Sequence, residues 1–282
     1  MKLIIVSGRS GSGKSILLRH LEDLGYYVVD NLPFKLLPQL LETLSTTHQA
    51  IAVSLDSRNL PQDPAETATL LEDIDHSGHT VDVIYLDAND STLLKRYSET
   101  RRKHPLSNAH ISLQEAIAKE RILLDPIVNR ADLMIDTHSL RAPDLMNILL
   151  ERIMPRDGSS LSLLFQSFGY KYGIPRDADY VFDIRCLPNP YWDAELRPLT
   201  GLDQPVIDFL SSNDNVADME TSITEFLEKF IPSFEADRRS YLTVAIGCTG
   251  GQHRSVYMVE RLAKHFRTAY PHVQVRHREV KS

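Results

Sequence analysis

Cysteine is nearly absent: 282 residues hold only Cys186 and Cys248. Two thiols cannot build a disulfide framework, and their scarcity points to a reducing, cytoplasmic setting. No apolar run approaches the roughly 18–20 residues that a membrane span needs, so no membrane role is expected. A leader is not expected either. The opening MKLIIVSG has one lysine and a short apolar run that leads straight into a glycine-rich motif, which reads as a buried first strand and not as a signal peptide. Positive charge is in the minority, 31 Lys and Arg against 38 Asp and Glu, so the protein as a whole should not attract nucleic acid. Internal repeats and low-complexity tracts are missing. What is there, 42% hydrophobic and 24% charged residues, is the composition of an ordinary globular protein, and the length leans to two domains.

The average charge hides a polarity. Thr200 to Asp237 holds nine acids and one lysine, whereas Arg238 to Ser282 holds nine Lys and Arg, two acids and four histidines. Either a local basic surface exists on an acidic protein, or the two segments neutralise each other across the fold.

Short β-rich runs alternate with helical patterns through the first half. Strands are predicted at Lys2–Ser7, Tyr26–Val29, Ile51–Leu55, Val81–Leu86 and Leu133–Asp136. Their continuous Val and Ile content is that of strands buried on both faces. Helices are predicted at Ser15–Leu24, Pro33–Leu44, Ala65–Ile74, Ser91–Arg102, Leu113–Val128 and Ala142–Ile153. This alternation argues for an α/β fold with a parallel sheet flanked by helices. Turn residues and charge at Pro155–Ser160 suggest a linker, dividing the chain into domains 1–154 and 155–282. In the second part strands are expected at Leu161–Ser167, Tyr180–Ile184, Tyr241–Gly247 and Val273–His277, and helices at Thr221–Phe230 and Ser255–Arg267. Leu187–Pro205, with four prolines, is expected as a loop. This would be a smaller α/β domain.

Gly8-Arg9-Ser10-Gly11-Ser12-Gly13-Lys14-Ser15 fits G-x-x-x-x-G-K-[ST], after a strand and before a helix. Glycines let successive N–H groups point inward and cradle phosphate oxygens, and the helix N-terminus adds positive partial charge. Lys14 can reach the terminal phosphates and Ser15 can ligate Mg²⁺. The metal-side acid is expected to be Asp87, which ends a strand. Asp30 and Asp56 end strands as well, either as caps or as a polar rim above the phosphates. Arg96, Arg101, Arg102 and Lys103 fall in a helical stretch. They are either a solvated face or a lid that stabilises charge on a transferring phosphoryl group, as in small-molecule kinases.

A second strand, glycine-rich loop and helix occurs at Tyr241–Ser255. Cys248 and Arg254 stand in C-x5-R-S spacing, the spacing of cysteine-dependent phosphatases, and an anion site is its physical content. Catalysis would further need a placed acid, for which Asp179, Asp183 and Asp193 are available. Trp192 could stack on a ligand or anchor packing. The histidines lack metal-ligand spacing with cysteines, so no zinc site is expected.

Several strings together resemble the RapZ family of RNase adapter proteins, in order from residue 2 to about 278. They are SGRSGSGKS, VVDNLP, LDSRN, YLDA, KRYSETRRKHPL, ADLMIDT, SFGYKYGIPRDADYVFDIRCLPNPYW, LRPLTGLD and YLTVAIGCTGGQHRS. The resemblance implies a P-loop kinase-like N-terminal domain that binds ATP at Gly8–Ser15, with GTP contacts at Asp56, Ser57, Arg58 and Asn59 and weak ATPase and GTPase activity. It implies a C-terminal domain that binds glucosamine-6-phosphate through Asp183, Cys248, Thr249, Gly250, Gly251, His253, Arg254 and Ser255. The same domain would bind small regulatory RNA, for which Lys171, Arg197, Arg238, Arg239 and Arg276 are available, and present it to ribonuclease E. A cytoplasmic homotetramer is implied too. Enterobacterial members end in a strongly basic tail, whereas this chain ends His277-Arg-Glu-Val-Lys-Ser282. A kinase or NTPase acting on a small metabolite, and a phosphatase built on Cys248 and Arg254, remain as alternatives.

Overall fold

The computed structural model describes all residues except 62, 76–77, 101, 154–160, 237–238 and 281–282. The expected linker Pro155–Ser160 therefore lies outside the described residues, as do Arg101 and Arg238. The chain forms two compact units, Met1–Met154 and Pro155–Ser282.

In the first unit, strands β1 (Lys2–Gly8), β2 (Tyr27–Val29), β3 (Ala50–Ser54), β4 (Thr80–Asp87) and β5 (Leu133–Asp136) make one sheet in the order β2-β3-β1-β4-β5. Every pairing is parallel. The apolar cores of β1 and β4 are covered on both faces, which is why they carry unbroken aliphatic runs. Helices α1 (Lys14–Asp23), α2 (Leu37–Leu44), α3 (Pro64–Asp75), α4 (Asp90–Thr100), α5 (Leu113–Arg130) and α6 (Ala142–Ile148) alternate with the strands. The α5 start is fixed by a capping box, in which Ser112 N–H donates to the Glu115 carboxylate at 2.8 Å and Glu115 N–H donates to Ser112 Oγ at 3.3 Å. Leu3, Ile5, Val53, Tyr85, Leu124 and Ile127 share one buried core.

From β1 the chain moves to one flank (β2, β3) and then crosses to the other (β4, β5). Ligands of open α/β sheets bind at such a switch, at the carboxyl ends of the strands. The register brings those ends level: Val6 lies beside Ser54, Gly8 beside Leu86 and Asp87 beside Asp136.

The second unit repeats the scheme. Strands β6 (Ser162–Gly169), β7 (Tyr180–Asp183), β8 (Tyr241–Cys248) and β9 (Val273–His277) form an all-parallel sheet in the order β7-β8-β6-β9. Helices α7 (Gln204–Ser211), α8 (Asp214–Ala236) and α9 (Arg254–Phe266) pack against it. The two central strands are buried along their whole length, and Phe165 of β6 stacks on Phe266 of α9 with ring centroids 5.5 Å apart.

Four expectations need correction. Helix α4 ends at Thr100, so Arg102 and Lys103 follow it instead of riding on it. Helix α7 begins at Gln204 inside the stretch expected as loop, because Pro205 occupies the first helical turn, where its missing N–H costs nothing. Helix α8 runs well beyond Thr221–Phe230 at both ends, since Val216, Ile223, Leu227 and Ile231 give it a continuous buried stripe that outweighs Pro232 and the cap-forming Asp214. The stretch Ala142–Ile153 is α6 followed by a π-helical turn at Leu149–Ile153.

Phe165 is fully buried in the second core. Phe165→Ala should cost about 3–5 kcal/mol of stability, read as a lowered urea midpoint. A loss below about 1 kcal/mol would mean that this core is not packed as described.

Candidate functional site

The switch point of the first sheet holds the loop Gly8, Arg9, Ser10, Gly11, Ser12, Gly13, Lys14 and Ser15. Gly8 has φ of 145°, and a Cβ there would collide with the Leu86 carbonyl of β4, so only glycine lets the chain leave β1 along this path. Ser12 N–H donates to Arg9 O at 3.0 Å. Lys14 Nζ bends back to donate to the carbonyls of Gly8 at 2.6 Å and Arg9 at 3.3 Å. Burial lowers the Lys14 pKa against the opposing pull of Asp56, Glu120 and Asp30.

The sequence reading missed the residue that anchors this loop. Glu120 of α5 is fully buried. Its carboxylate accepts from Ser10 N–H at 2.8 Å, Ser10 Oγ at 2.7 Å and Ser57 Oγ at 2.8 Å, and it contacts His104 Nε2 at 3.2 Å. Burial works against this charge, but the His104 and Ser10 hydrogen bonds and the nearby Lys14 outweigh it and hold the carboxyl below its usual range. Glu120 thereby joins the phosphate loop to the Asp56–Asn59 segment after β3.

In that segment, the Asp56 carboxylate is gripped by Arg58, Nη2 to Oδ2 at 3.1 Å and Nε to Oδ1 at 3.3 Å. Burial opposes the charge of Asp56, but Lys14 and Arg58 overcome it and lower the pKa. Asn59 Nδ2 donates to Asn31 O at 3.0 Å and Asn31 Oδ1 at 2.9 Å. Asp30, Asp56, Ser57, Arg58 and Asn59 are thus gathered at the carboxyl ends of β2 and β3.

Asp87 ends β4 as expected, and its carboxylate has a partner that the sequence did not reveal. Arg9, itself fully buried, donates from Nε to Asp87 Oδ1 at 2.6 Å, from Nη1 to Asp90 Oδ1 at 2.5 Å and from Nη2 to the Ala88 carbonyl. A loop position that the motif leaves open therefore supplies a cation to the expected metal-side acid. Ser15 is exposed on the first turn of α1 and suits a Mg²⁺ ligand, whereas Asp87 would have to share its carboxylate with Arg9.

Arg96 is not a free lid residue. It donates to Gly11 O at 2.9 Å, Thr137 Oγ1 at 3.0 Å and Thr137 O at 2.6 Å, which ties α4 to the loop and to the segment after β5. Beside this clamp lies a cavity of about 220 Å³ on the β4–β5 flank, walled by Gly11, Gly13, Ile16, Thr137, Leu140 and Leu145.

The second loop occupies the same edge of the second sheet, where Gly169 lies beside Cys248 and Asp183 beside Gly247. Cys248, Thr249, Gly250, Gly251, His253, Arg254 and Ser255 run from β8 into α9, whose first-turn N–H groups have no intrahelical carbonyl. Several of these side chains turn inward. The buried Cys248 Sγ accepts from Gly251 N–H at 3.2 Å and contacts Ser255 Oγ at 3.2 Å. Arg254 Nη1 donates to the carbonyls of Arg185 at 2.8 Å and Leu187 at 2.9 Å, and its Nη2 to Thr249 Oγ1 at 3.3 Å. Buried His253 places Nε2 3.2 Å from Leu196 O, and burial lowers its pKa. Cys248 and Arg254 are therefore parts of the loop's frame. The three candidate acids are engaged: Asp183 by Arg185 at 2.7 Å, Asp179 by Thr243 N–H at 2.8 Å, and Asp193 by Glu195 N–H at 2.8 Å.

The residues available for RNA divide between the two sheet edges. Lys171 stands at the carboxyl edge, with Nζ 3.9 Å from where a Gly250 side chain would begin. Arg197 covers the Tyr191 ring at 4.9 Å, on the same stretch as Trp192. Arg239 lies at the opposite edge, paired with Asp179 at 3.2 Å, and Arg276 sits on β9 beside Gln166. Trp192 is 78% exposed, its ring edge-on to that of Tyr191 with centroids 5.7 Å apart. The acidic and basic segments meet where Arg261 pairs with Glu220 at 3.0 Å and His265 Nε2 lies 2.7 Å from Glu228 Oε1.

No helix among the described residues is long and apolar enough to cross a membrane. Residues 1–157 match the RapZ-like N-terminal domain and residues 161–281 the RapZ C-terminal domain. A nucleotide-binding protein of Pseudoalteromonas atlantica is 55% identical over 280 residues, 99% of each chain. One from Alteromonas mediterranea is 52% identical over the same length and coverage. Among solved structures, an unliganded sugar kinase from a Janibacter species covers 53% of this chain and 92% of its own, with 15% identity and a TM-score of 0.40.

Glu279 was also missed. Its carboxylate lies against Gly251, where φ is 73° and a Cβ would strike Oε2. Burial pushes this carboxyl up to about 7. Between its ordinary value of 4.5 and about 7, the folded state holds a proton that the unfolded state has lost, so stability falls as pH rises through that window. Glu279→Gln should therefore raise the thermal midpoint at pH 8 and leave it unchanged at pH 4. An equal shift at both pH values would mean that the carboxylate charge is not the cause.

Proposed function

The chain belongs to the RapZ family, and from that premise we propose that it is a cytoplasmic regulatory adapter with a nucleotide switch and a sugar-phosphate sensor. Its first unit binds ATP or GTP, with Mg²⁺, through Gly8–Ser15. Its second unit binds glucosamine-6-phosphate at the Cys248–Ser255 loop and holds small regulatory RNA for ribonuclease E, within a homotetramer. The observation that carries the reading is the surround of the second loop. Inward-turned Cys248 and Arg254 suit binding better than turnover, while Lys171 stands over Gly250. Exposed Trp192 and Tyr191, next to Arg197, offer a stacking surface with positive charge, which suits unpaired bases. The exposed, unpaired thiol of Cys186 is in keeping with a reducing compartment.

Calorimetric titration of glucosamine-6-phosphate into the full chain should give binding that weakens about tenfold in Lys171→Ala, the loss of one charge-assisted contact. RNA gel shifts should be salt-sensitive and weaken about tenfold in Trp192→Ala, the loss of one stacked base. Absence of sugar-phosphate binding in the wild type would refute the sensor. Retention of RNA at high salt with no effect of Trp192→Ala would refute the proposed RNA surface.

A further inference from the structure

The residues that follow β9 are fixed against the second loop. His277 Nδ1 lies 2.9 Å from Ser167 Oγ, and its Nε2 lies 3.0 Å from Glu260 Oε1 of α9. Arg278 N–H donates to Ser167 O at 3.2 Å, and Arg278 Nη1 donates to Gly173 O at 3.2 Å. These four ties deliver the next side chain, Glu279, to the turn at Gly251. A Cβ on Gly251 would collide with Glu279 Oε2, so the carboxyl fills the room that a side chain in the loop would need.

Glu279 Oε2 is closed to solvent and has no hydrogen-bond partner among the described residues. Burial raises the pKa of this carboxyl, and the opposing pull of Arg278, the Gly169 N–H and Lys171 does not cancel it. Arg278 belongs to the same segment, Lys171 to the turn after β6, and the loop meets the carboxyl with glycine backbone. An unpartnered oxygen in such a place is costly on a carboxylate and much less so on a carboxylic acid.

The same turn is where an anion would be held, by the N–H groups that open α9. An ionised Glu279 in contact with Gly251 opposes a second negative charge there. A protonated one does not, and its O–H becomes a donor.

We propose that Glu279 is a proton-coupled gate on the second loop: an anion binds there when the Glu279 carboxyl is protonated and is turned away when it is ionised. The inference rests on the reading of this loop as the sugar-phosphate site. The proton comes from solvent and no covalent bond other than its own O–H is made. By reciprocity, a bound anion holds the proton on Glu279 as strongly as the proton favours the anion. Anion affinity therefore declines as pH rises through about 7, where the carboxyl loses its proton.

Calorimetry on the full chain tests the gate, with glucosamine-6-phosphate and, separately, inorganic sulfate titrated into wild type, Glu279→Gln and Glu279→Ala at pH 6 and pH 8. Groups that titrate in the ligand or elsewhere in the protein are common to all three proteins and cancel in the comparison. Wild type and both variants should agree within about twofold at pH 6, whereas at pH 8 both variants should bind about tenfold more tightly, the ratio set by the fraction of Glu279 that holds its proton. Repetition in two buffers of different ionisation enthalpy should show wild type taking up about one proton more than either variant on binding at pH 8. A wild-type-to-variant ratio that is the same at both pH values, or no extra proton, overturns the gate and leaves anion binding intact. Binding of sulfate alone overturns the sugar-phosphate reading, and the sulfate ratio then decides for or against the gate. Binding of neither anion to any of the three proteins overturns the reading of the loop and the gate with it.

Discussion

A single buried carboxylate organises the first unit. Removing a charged carboxylate from water costs several kcal/mol unless hydrogen bonds and opposite charge replace the solvent. Glu120 meets that demand with both donors of Ser10, the Ser57 hydroxyl, His104 and the nearby Lys14. The demand also works in reverse. The phosphate loop, the segment after β3 and the stretch before α5 are obliged to hold the positions that satisfy it. Arg9 plays the complementary part on the other flank, a buried cation that collects Asp87, Asp90 and the Ala88 carbonyl. The loop is thus pre-shaped by one buried charge of each sign before any phosphate arrives, which reduces the ordering cost of binding.

The second unit solves the same problem with other atoms. Its loop also leaves a central parallel strand and enters a helix, but the inner scaffold is a thiol and a guanidinium bound to backbone carbonyls. Around a frame built from Cys248 and Arg254, Lys171 stands beside Gly250 and the half-buried Glu279 carboxyl lies against Gly251.

Much of this was legible in the sequence, for identifiable reasons. Strands buried on both faces announce themselves as unbroken aliphatic runs, so the α/β class and the strand positions could be read directly. The Gly8–Ser15 motif and the C-x5-R spacing are local, and their placement between strand and helix follows from neighbouring residues. Glu120 was not legible, because it is one acid in the middle of a helix whose partner Ser10 lies 110 residues away. The role of Arg9 was hidden because its motif position accepts any residue, and nothing local shows that its side chain is buried. Arg96 and Arg254 were visible as arginines near phosphate loops, but only the fold shows that backbone carbonyls claim them. Helix α7 was obscured because proline marks a loop and a first helical turn equally well.

The account stands on two anion-binding loops in one chain. Diffraction at the tungsten edge from crystals of the full chain grown with sodium tungstate at pH 6 would test this most directly. Two anomalous peaks are expected, one within hydrogen-bonding distance of the Gly11–Ser15 N–H groups and one against the Thr249–Arg254 turn. A peak at the first loop alone would contradict the reading of the second unit as an anion sensor, and no peak at either loop would contradict the account as a whole.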